Sequence, residues 1–595
     1  MSRKARAAPR SKIASPRNPD RPPVPPAPHS PYRVGLACGL GLLCCLIYLS
    51  SFRRPAAYDS LPARLLPFSI LRQGNLDLDE FAWLRRLNPE PYFLRRGANG
   101  HWLSRYPVGI PVLMSPLYFP VTWWLQRQHI GDDDVRFRLA ALAMERVCAA
   151  LLAAASVGLV FLAATALTSV PGAAAVALVY GLGTSTWAIS SQALWQHGPA
   201  ELGLAGLTLC LVASGGRRWA VAAGGFAALA VLARPTMLIF ALLALVFVWR
   251  DRRTQLLWFL SLPLLGAAML LLYNIRQVNL LSGGYQYGRF ALPGLVPLAG
   301  LLFSPNRGLF VYMPILALAL PTLANPQRAG IRWLSYAAIG VAAYVLLYSA
   351  WRGWWGGHSY GPRFLTDVLP VLSLCAIPAA RHLWQWSYGR VLVVALAAYG
   401  VVVQGIGAYC DNNLWNSLPD SIDRTPGRVW DWHDPQILSA ARDGWHGFDL
   451  FPLSWQSLMQ PVPARLNLMG ESDLAGRITT DDPLPRRYKA GRRGTFDLRV
   501  TNLSSTAWPA FSDYGFMQVW IMYRWWLNGA VVSGQGGFID LPWNLSAHGS
   551  IAFQAAVEAP QHPGSYELEF LVAQALDVEK GGAGNAVLRV PAVVE

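Results

Sequence analysis

The chain has 595 residues, of which 53% are hydrophobic and only 14% charged, with a positive mean hydropathy. This composition excludes an ordinary cytosolic enzyme and predicts a membrane protein with a soluble appendage. The net charge of +17 does not indicate nucleic-acid binding, because the basic residues are spread over short loops and the N-terminal tail without a basic stripe or motif.

The N-terminal part combines a basic tail with an apolar segment. Residues 1–33 are rich in Pro, Arg and Lys and are predicted to form a disordered tail on the cytoplasmic side. The stretch from Val34 to Phe52 is long enough to cross the roughly 30 Å hydrocarbon core as a helix. No small-residue cleavage site follows it, so it is expected to be a signal anchor.

Residues 53–135 are mixed in character and are predicted to form the first loop outside the membrane. Within the loop, PVGIPVLMSPLYFPVTWWLQ is apolar but interrupted by four prolines. This pattern predicts short helices lying at the membrane interface. The alternative is a true span, which would invert the topology of everything downstream.

Ten further apolar segments follow, so that residues 34–407 are predicted to form a helical bundle of about eleven spans. Four short connectors between them carry arginine and all fall inside if the tail is inside, which supports this topology. The outside connectors are rich in aromatic residues and glycine, so function is expected on the outer face. The segments lie near 138–165, 171–190, 198–214, 219–233, 236–250, 256–273, 308–324, 333–350, 366–381 and 390–407.

The C-terminal part has no apolar spans. Residues 408–484 are predicted to be an irregular linker segment in the periplasm. From residue 485 to residue 595 the hydrophobic pattern has a period of two, as in FDLRV and SYELEFLVAQ, with turn signals between the runs. This pattern predicts a small all-β antiparallel sandwich, a second domain on the outer face.

Asp59 is the leading candidate for a catalytic residue. It follows the first predicted span in AAYDSLPARLLPF, with Arg64 close by. A carboxylate near cations suits a general base that acts beside a phosphate leaving group. The alternative is an acid that simply flanks a span. In the nearby NLDLDEF, Asp77 and Asp79 are better explained as acids at a helix N-terminus.

Two segments of the outside loops add candidate binding residues. Arg105 and Tyr106 lie in HWLSRYPVG, where an arginine suits a phosphate or, alternatively, a lipid headgroup. The run WRGWWGGHSYGPRFLTD combines glycines that allow close approach of a ligand, tryptophans that suit sugar rings, and a phosphate-binding candidate. Its candidate residues are Trp355, His358, Tyr360 and Arg363.

Two further outside turns contribute His197 and Arg289 as candidates, although a lone histidine in a loop is usually only solvated. Glu145 and Arg146 lie early in a predicted span, where they are expected to face a cavity or to form an ion pair. Since no zinc-ligand spacing, Walker motif or GxSxG motif occurs, neither structural zinc, nucleotide nor serine-hydrolase chemistry is indicated.

Taken together, residues 34–407 resemble the GT-C membrane glycosyltransferases, a superfamily that includes protein mannosyltransferases and aminoarabinose transferases. The resemblance rests on Asp59 soon after the first span, on SRYPVGIPVL within the first loop, and on WWGGHSYGPRFL. Many relatives show an Asp-Glu pair, whereas Ser60 follows Asp59 here, so metal dependence stays open. The C-terminal domain is similar to carbohydrate-associated, immunoglobulin-like modules.

The resemblance implies a transferase of the bacterial inner membrane that moves a sugar from a polyprenyl-phosphate donor to a glycan, lipid or protein acceptor on the periplasmic face. Asp59 would be the base, and Arg363, with Arg105, would hold the phosphate. No cofactor is implied with certainty, and a divalent metal is left open. The alternatives are a flippase or transporter for a lipid-linked sugar and a non-catalytic glycan-binding assembly protein.

Overall fold

The computed structural model describes the chain except for residues 1–29, 52–57, 86–88, 214, 278–289, 412, 418–419, 444–463, 465–468, 513–516 and 575–582. The part N-terminal to residue 444 is helical, and the part from residue 469 onward is mainly β-structure. The predicted disordered tail therefore lies outside the described residues up to residue 29. Its predicted end is wrong, because Pro31–Arg33 already belong to the first helix.

Seventeen α-helices occur in the described residues. They are α1 (Pro31–Leu49), α2 (Leu61–Gln73), α3 (Gly109–Arg127), α4 (Val135–Ala164), α5 (Val170–Leu182), α6 (His197–Val212), α7 (Arg217–Ala233), α8 (Leu238–Asp251), α9 (Leu256–Gln277), α10 (Leu295–Phe303), α11 (Leu309–Tyr312), α12 (Leu320–Ala324), α13 (Arg332–Ser349), α14 (Leu369–Cys375), α15 (Ile377–Trp384), α16 (Ser387–Tyr409) and α17 (Gln436–Asp443). A short hairpin of β1 (Leu94–Arg96) and β2 (Trp102–Ser104) lies between α2 and α3.

Side-chain caps fix the start of several helices. Ser30 accepts from the backbone N–H of Arg33 at the start of α1, and Asp134 accepts from that of Arg136 at the start of α4. Gly74 ends α2 in the left-handed conformation, with a φ of 70°. These caps define where α1 and α4 begin and where α2 ends.

Four helices among the described residues are long and apolar enough to cross a membrane: Pro31–Leu49, Val135–Ala164, Arg253–Gln277 and Ser387–Tyr409. A fifth crossing results if the bent pair Arg363–Cys375 and Ile377–Trp384 counts as one span. About eleven spans are therefore not supported. Several of the other predicted spans form shorter helices, such as the 13-residue α5 and the 14-residue α8, and the segment near 308–324 breaks into short pieces at Pro314 and Pro321.

The segment predicted as short interfacial helices is one continuous helix, α3, which keeps Pro116 and Pro120 in its interior. The prediction of several short helices was wrong, because prolines in apolar helices are tolerated when neighbouring groups satisfy the freed carbonyls. Each interior proline removes only the single backbone hydrogen bond to the carbonyl four residues earlier, so the rest of the helix continues through it.

Small residues bring α1 and α4 into close contact. A Cβ at Gly41 would lie 3.0 Å from the carbonyl oxygen of Ala154, and one at Gly158 would lie 3.1 Å from that of Ala37. This reciprocal arrangement is the close backbone approach that small residues allow between apolar helices. The helical interior is filled mainly by Ala, Leu, Phe, Tyr and Trp side chains in one continuous core.

The C-terminal domain is built from two sheets. The strands are β3 (Gly476–Thr479), β4 (Arg486–Tyr488), β5 (Arg493–Asn502), β6 (Trp520–Leu527), β7 (Ala530–Asp540), β8 (Ser550–Glu558), β9 (Gly564–Ala573) and β10 (Ala583–Val594). One sheet has the order β4-β10-β9-β6-β7 and the other β3-β5-β8, and side chains of both sheets share one core. The predicted sandwich is present, except that β4 and β10 pair in parallel and that strands begin at residue 476.

Candidate active site

Asp59 lies in a short 3₁₀ turn, Tyr58–Ser60, directly before α2. The carboxylate is 15% exposed and accepts three hydrogen bonds from side chains far away in the sequence. Tyr92 and Tyr106 donate to its Oδ1 at 2.9 and 2.8 Å, and Arg363 Nη2 donates to its Oδ2 at 2.5 Å. Three separate segments of the chain therefore converge on this one acid.

The β1–β2 hairpin explains why two tyrosines reach Asp59. Leu94 pairs with Ser104 in the ladder, and the backbone N–H of Arg105 donates to the carbonyl of Phe93. Tyr92 lies in the turn before β1, in which the backbone N–H of Leu94 donates to the carbonyl of Pro91, and Tyr106 lies just after β2. Because β1 and β2 are antiparallel, the start of β1 lies beside the end of β2, and both phenols reach Asp59 from this end of the hairpin. The local fold thus builds a two-donor clamp for a single carboxylate oxygen.

The surroundings of Asp59 keep its carboxyl ionised. Burial alone would raise the pKa of this group, but the charge of Arg363 and the hydrogen bonds from Arg363, Tyr106 and Tyr92 together lower the pKa below its ordinary value. Burial and the neighbouring carboxylate raise the pKa of the Tyr92 phenol, so this side chain stays a proton donor in the hydrogen bond. A carboxylate held in this way is a weak base as long as Arg363 is its partner.

Arg363 begins a 3₁₀ segment, Arg363–Val368, that leads into α14. The guanidinium is 8% exposed and lies over the Trp195 ring, with Cζ 4.0 Å from the ring centroid. Besides its bond to Asp59, it donates from Nε to His197 Nε2 at 3.2 Å and from Nη1 to the carbonyl of Gly356 at 3.5 Å. The cation is thus held from three directions and stacked on an aromatic face.

Behind Arg363 lies a buried polar cluster. His197 Nδ1 lies 2.7 Å from Asp367 Oδ1, and Arg234 Nε lies 2.8 Å from Asp367 Oδ2. Tyr344 donates its hydroxyl to the same Asp367 oxygen, and Arg234 also donates to the Tyr348 hydroxyl. Buried charges are stable only when they are paired and hydrogen-bonded. We call His197, Arg234, Asp367 and Tyr344 the supporting cluster.

The Trp-Gly loop around residues 351–361 is fixed by another buried cation. Arg307 donates to the carbonyls of Trp355 and Gly357 at 2.7 and 3.1 Å, and to the side chains of Gln436 and Asn416 at 2.7 and 2.6 Å. Gly356 and Gly357 have φ values of 81° and 65°, which residues other than glycine rarely adopt. The loop therefore holds a defined shape where the Gly356 carbonyl meets Arg363.

The other candidates of this loop differ in position. Trp355 is half-buried and donates from its indole nitrogen to Asp423 at 2.9 Å, and His358 lies 3.2 Å from the Ser421 hydroxyl. Burial lowers the pKa of the His358 imidazole despite the nearby Asp423 carboxylate. Tyr360 is buried and donates to the carbonyl of Val403 in α16. It therefore supports the packing of the loop against α16.

Arg64 and Arg105 do not join the Asp59 cluster in the described structure. Arg64 is buried in α2, and its Nε donates to Glu145 Oε2 at 2.6 Å, so the ion pair expected of Glu145 is formed with Arg64. Arg105 is half-buried next to Tyr106, and no described acidic side chain pairs with its guanidinium. Arg289 lies outside the described residues.

Asp77, Asp79 and His101 form a group of potential metal ligands near the hairpin. One ligand atom of each lies within 4.8 Å of the others. In the structure Asp79 already lies 2.6 Å from His101 Nδ1 and accepts from the backbone N–H of Trp102 at 2.8 Å. Asp77 and Asp79 were predicted to lie at a helix N-terminus, but the element that follows them is a 3₁₀ turn, Ala82–Arg85.

Sequence reasoning missed several groups that complete the site, namely Tyr92, Arg234, Tyr344 and Tyr348. A signal existed for two of them. Arg234 is a single charge between two apolar runs in VLARPTML, a context in which an arginine usually faces an interior partner. Tyr92 and Tyr106 flank alternating segments of hairpin type. For Tyr344 and Tyr348, within an apolar helix, no sequence signal marks the role.

Comparisons with known proteins give no relative for this chain. No family model matches it, and no curated protein matches it. Among solved structures, a CARDB domain from Pyrococcus furiosus aligns at 16% identity over 20% of this chain and 94% of that chain, with a TM-score of 0.13. The DNA glycosylase AlkC of Pseudomonas fluorescens aligns at 11% identity over 74% of this chain and 98% of that chain, with a TM-score of 0.17. Similarities at this level carry no conclusion about fold or function.

Proposed function

We propose that this chain is an integral-membrane glycosyltransferase that transfers a sugar from a polyprenyl-phosphate donor to a hydroxyl of a glycan, lipid or protein acceptor. The observation that carries the proposal is the contact of Asp59 with Arg363, two residues 304 positions apart that meet beside the end of an apolar helix bundle. A carboxylate and a fixed guanidinium are the two groups that this reaction requires side by side.

The chemistry follows from these two groups. The acceptor hydroxyl gives its proton to Asp59 while its oxygen forms a bond to the anomeric carbon of the sugar. The bond between that carbon and the phosphate oxygen breaks, and polyprenyl phosphate leaves with the electron pair. Arg363 stabilises the negative charge that develops on the leaving phosphate. A single displacement of this kind inverts the configuration at the anomeric carbon.

The contact between Asp59 and Arg363 is then the resting arrangement of the site. While Arg363 is its partner, the lowered pKa makes Asp59 a weak base. When the donor phosphate binds the guanidinium, its negative charge partly offsets the positive charge of Arg363 at Asp59. The pKa of the Asp59 carboxyl then rises toward its ordinary value, and the carboxylate becomes a stronger base. Donor binding thus prepares the base, and Tyr92 and Tyr106 keep the carboxylate in place during the exchange.

The surroundings suit a lipid-linked donor. Helix α9 is mostly exposed and apolar, with Leu257 80% and Leu264 63% exposed, a surface that fits lipid chains. Trp355 supplies an aromatic face and His358 a polar group on the loop next to Arg363. In this proposal the N-terminus lies in the cytoplasm of a bacterial cell, and the site and the β-domain lie on the periplasmic side of the inner membrane, where the β-domain binds glycan or positions the acceptor.

A flippase for lipid-linked sugars is the second candidate, favoured by polar groups inside the helical part. Glu201 in α6 is fully buried and accepts from the hydroxyls of Tyr180 and Ser190, both at 2.9 Å. Polar groups between apolar helices are typical of substrate pathways. This cluster uses a different carboxylate from the Asp59 site, so the two functions depend on different residues.

A transfer assay separates the two candidates. Purified full-length protein in lipid vesicles is given a polyprenyl-phosphate donor with a labelled sugar and an extract of envelope acceptors. We expect labelled product and release of polyprenyl phosphate with the wild type and with Glu201→Gln, and a transfer rate lower by at least about 10²-fold with Asp59→Asn. Movement of the donor across the vesicle without product would instead assign the flippase function. Normal product formation by Asp59→Asn would refute the assignment of the base.

A further inference from the structure

The buried contacts behind Arg363 define one tautomer of His197. The carboxylate of Asp367 can only accept, so the ring nitrogen facing it, Nδ1, carries the hydrogen. Arg363 Nε donates to the other nitrogen, Nε2, which must therefore be the unprotonated acceptor. His197 is thus a neutral imidazole that receives a hydrogen bond from a cation and passes one to an anion.

The remaining neighbours of His197 favour a neutral ring. Arg234 Nη1 lies 3.0 Å from both ring nitrogens. A protonated ring would lie between two guanidinium groups and would have no acceptor for Arg363. Trp195 stands at a ring-centroid distance of 6.1 Å, and His197 is completely buried. The imidazole therefore does not reach a substrate, although its residue type suggested a binding role.

The contacts of His197 connect two residues of one short segment. Arg363 and Asp367 lie four positions apart on the same 3₁₀ segment, and His197, at the first position of α6, bridges them. Arg234, directly after α7, and Tyr344 in α13 hold Asp367 from two other segments. Because both ends of the bridge belong to one rigid segment, the guanidinium plane of Arg363 is fixed through Nε, and its two terminal nitrogens point toward Asp59 and the Gly356 carbonyl.

We propose that His197, oriented by Asp367 and Arg234, is a positioning residue that fixes the guanidinium of Arg363 for contact with Asp59 and a lipid-linked phosphate. The part that concerns the phosphate rests on the proposed transferase function. The part that concerns Arg363 does not, because it follows from contacts within the protein. Such buried orienting partners commonly determine how precisely a binding group is presented.

Two substitutions of His197 separate its two hydrogen bonds. In His197→Gln, the amide oxygen takes the place of Nε2 and keeps an acceptor for Arg363. In His197→Asn, the shorter amide reaches only the position of Nδ1, so it keeps a partner for Asp367 but leaves Arg363 Nε without an acceptor. Both variants remove the ring, so a loss of packing affects them alike. A role in positioning affects them differently.

The first readout needs no ligand. The full-length protein in detergent is treated with phenylglyoxal, and modification of Arg363 is followed by mass spectrometry. We expect Arg363 to be protected in the wild type and in His197→Gln and to be modified at least about tenfold faster in His197→Asn, as expected for losing a hydrogen bond to a charged group. Equal protection, or an equal loss of protection, in the two variants would overturn the positioning role.

The second readout uses polyprenyl phosphate as the probe in titrations of the same samples. Binding should be weakened about tenfold or more in His197→Asn and largely restored in His197→Gln. Phenylglyoxal modification of Arg363 could depend on the hydrogen-bond acceptor at residue 197 while the wild type binds no polyprenyl phosphate. In that case the positioning role stands and the proposed function fails. Should His197→Asn not yield a folded sample, Asp367→Asn serves instead, since it favours the other tautomer and should expose Arg363 in the same way. An unchanged Arg363 in that variant would contradict the proposal.

Discussion

Two charge clusters of this chain use the same kinds of side chain, a carboxylate, arginine and tryptophan, but assemble them differently. In the β-domain, Glu569 on β9 contacts Arg524 on β6 and Arg589 on β10, which are its direct cross-strand neighbours, and both arginines lie over Trp526. In the helical part, Asp59 and Arg363 come from remote segments, and Arg363 lies over Trp195.

The difference shows what each arrangement is suited for. In the β-domain the strand register alone brings the charges together, and the arginines stay 36% and 40% exposed, so the cluster makes a modest contribution to stability. In the helical part Arg363 is 8% exposed and depends on the supporting cluster behind it. Burying charged groups costs free energy, and such an arrangement is typical of a site that presents charges to a ligand.

The largest expected effect is on the rate of sugar transfer when the arginine of each cluster is replaced by lysine. Arg363→Lys should lower the rate of sugar transfer by about 10²-fold, because an ammonium group cannot contact His197, Asp59 and a phosphate in one plane. Arg524→Lys, the matched change in the β-domain, should leave the rate unchanged. Steady-state kinetics on purified variants measures both, and equal losses would mean that the two clusters do not differ in function.

A large effect on stability is expected at Glu145, whose two oxygens accept from Arg64 Nε and from the backbone N–H of Leu194. Glu145→Gln should cost about 3 kcal/mol of unfolding free energy, because it removes the negative partner of a buried arginine. Thermal unfolding in detergent measures this loss. If Arg64→Gln instead raised the KM for the donor and left stability unchanged, the result would support the predicted role of Arg64 in phosphate binding.

An intermediate effect concerns pH. The pKa of Asp59 is lowered in the folded protein, so its ionic contacts stabilise the fold above the ordinary carboxyl pKa of about 3.9 and are lost as the pH falls through the lower folded value. Tyr106→Phe removes one of the hydrogen bonds that lower this pKa. The acid limb of kcat/KM should therefore move to higher pH, while the control Tyr360→Phe, whose hydroxyl contacts Val403, should not move it.

The smallest effect is expected at Glu569. Burial would raise the pKa of this carboxyl, but hydrogen bonds from Arg524 and Arg589 lower it, so its contribution to stability is present above its unfolded pKa and is lost on acidification. Glu569→Gln should cost about 1 kcal/mol or less and leave sugar transfer unchanged. Chemical denaturation and the transfer assay test the two parts. A loss of transfer would show that the β-domain cluster takes part in acceptor binding.

The same contrast explains how much the sequence could predict. Apolar length and period-two alternation depend on local residues, so α4, α16 and strands such as β5 and β9 are found close to their predicted positions. Strand β7 does not show this alternation, because the glycines of the run SGQGG, which are Gly534, Gly536 and Gly537, interrupt it. The number of crossings was overestimated because apolar composition does not reveal where short helices end.

For the site, residue type and context identified Asp59, Tyr106 and Arg363 one by one. Their contacts could not be predicted, because they depend on how the hairpin, α6 and the segment before α14 pack together. The placement of Arg64 and Tyr360 shows the opposite case, in which a suitable residue type in a suitable loop faces the interior. Sequence therefore selects candidates, and long-range packing decides which of them meet.

A double-mutant cycle on the transfer rate tests whether Asp59 and Arg363 act as one site. Asp59→Asn, Arg363→Gln and the double variant are compared with the wild type in the same vesicles. Our expectation is that the double variant is about as slow as the slower single variant, because the two residues are in contact and serve one step. Losses that simply multiply would mean that the two residues act independently and would contradict it.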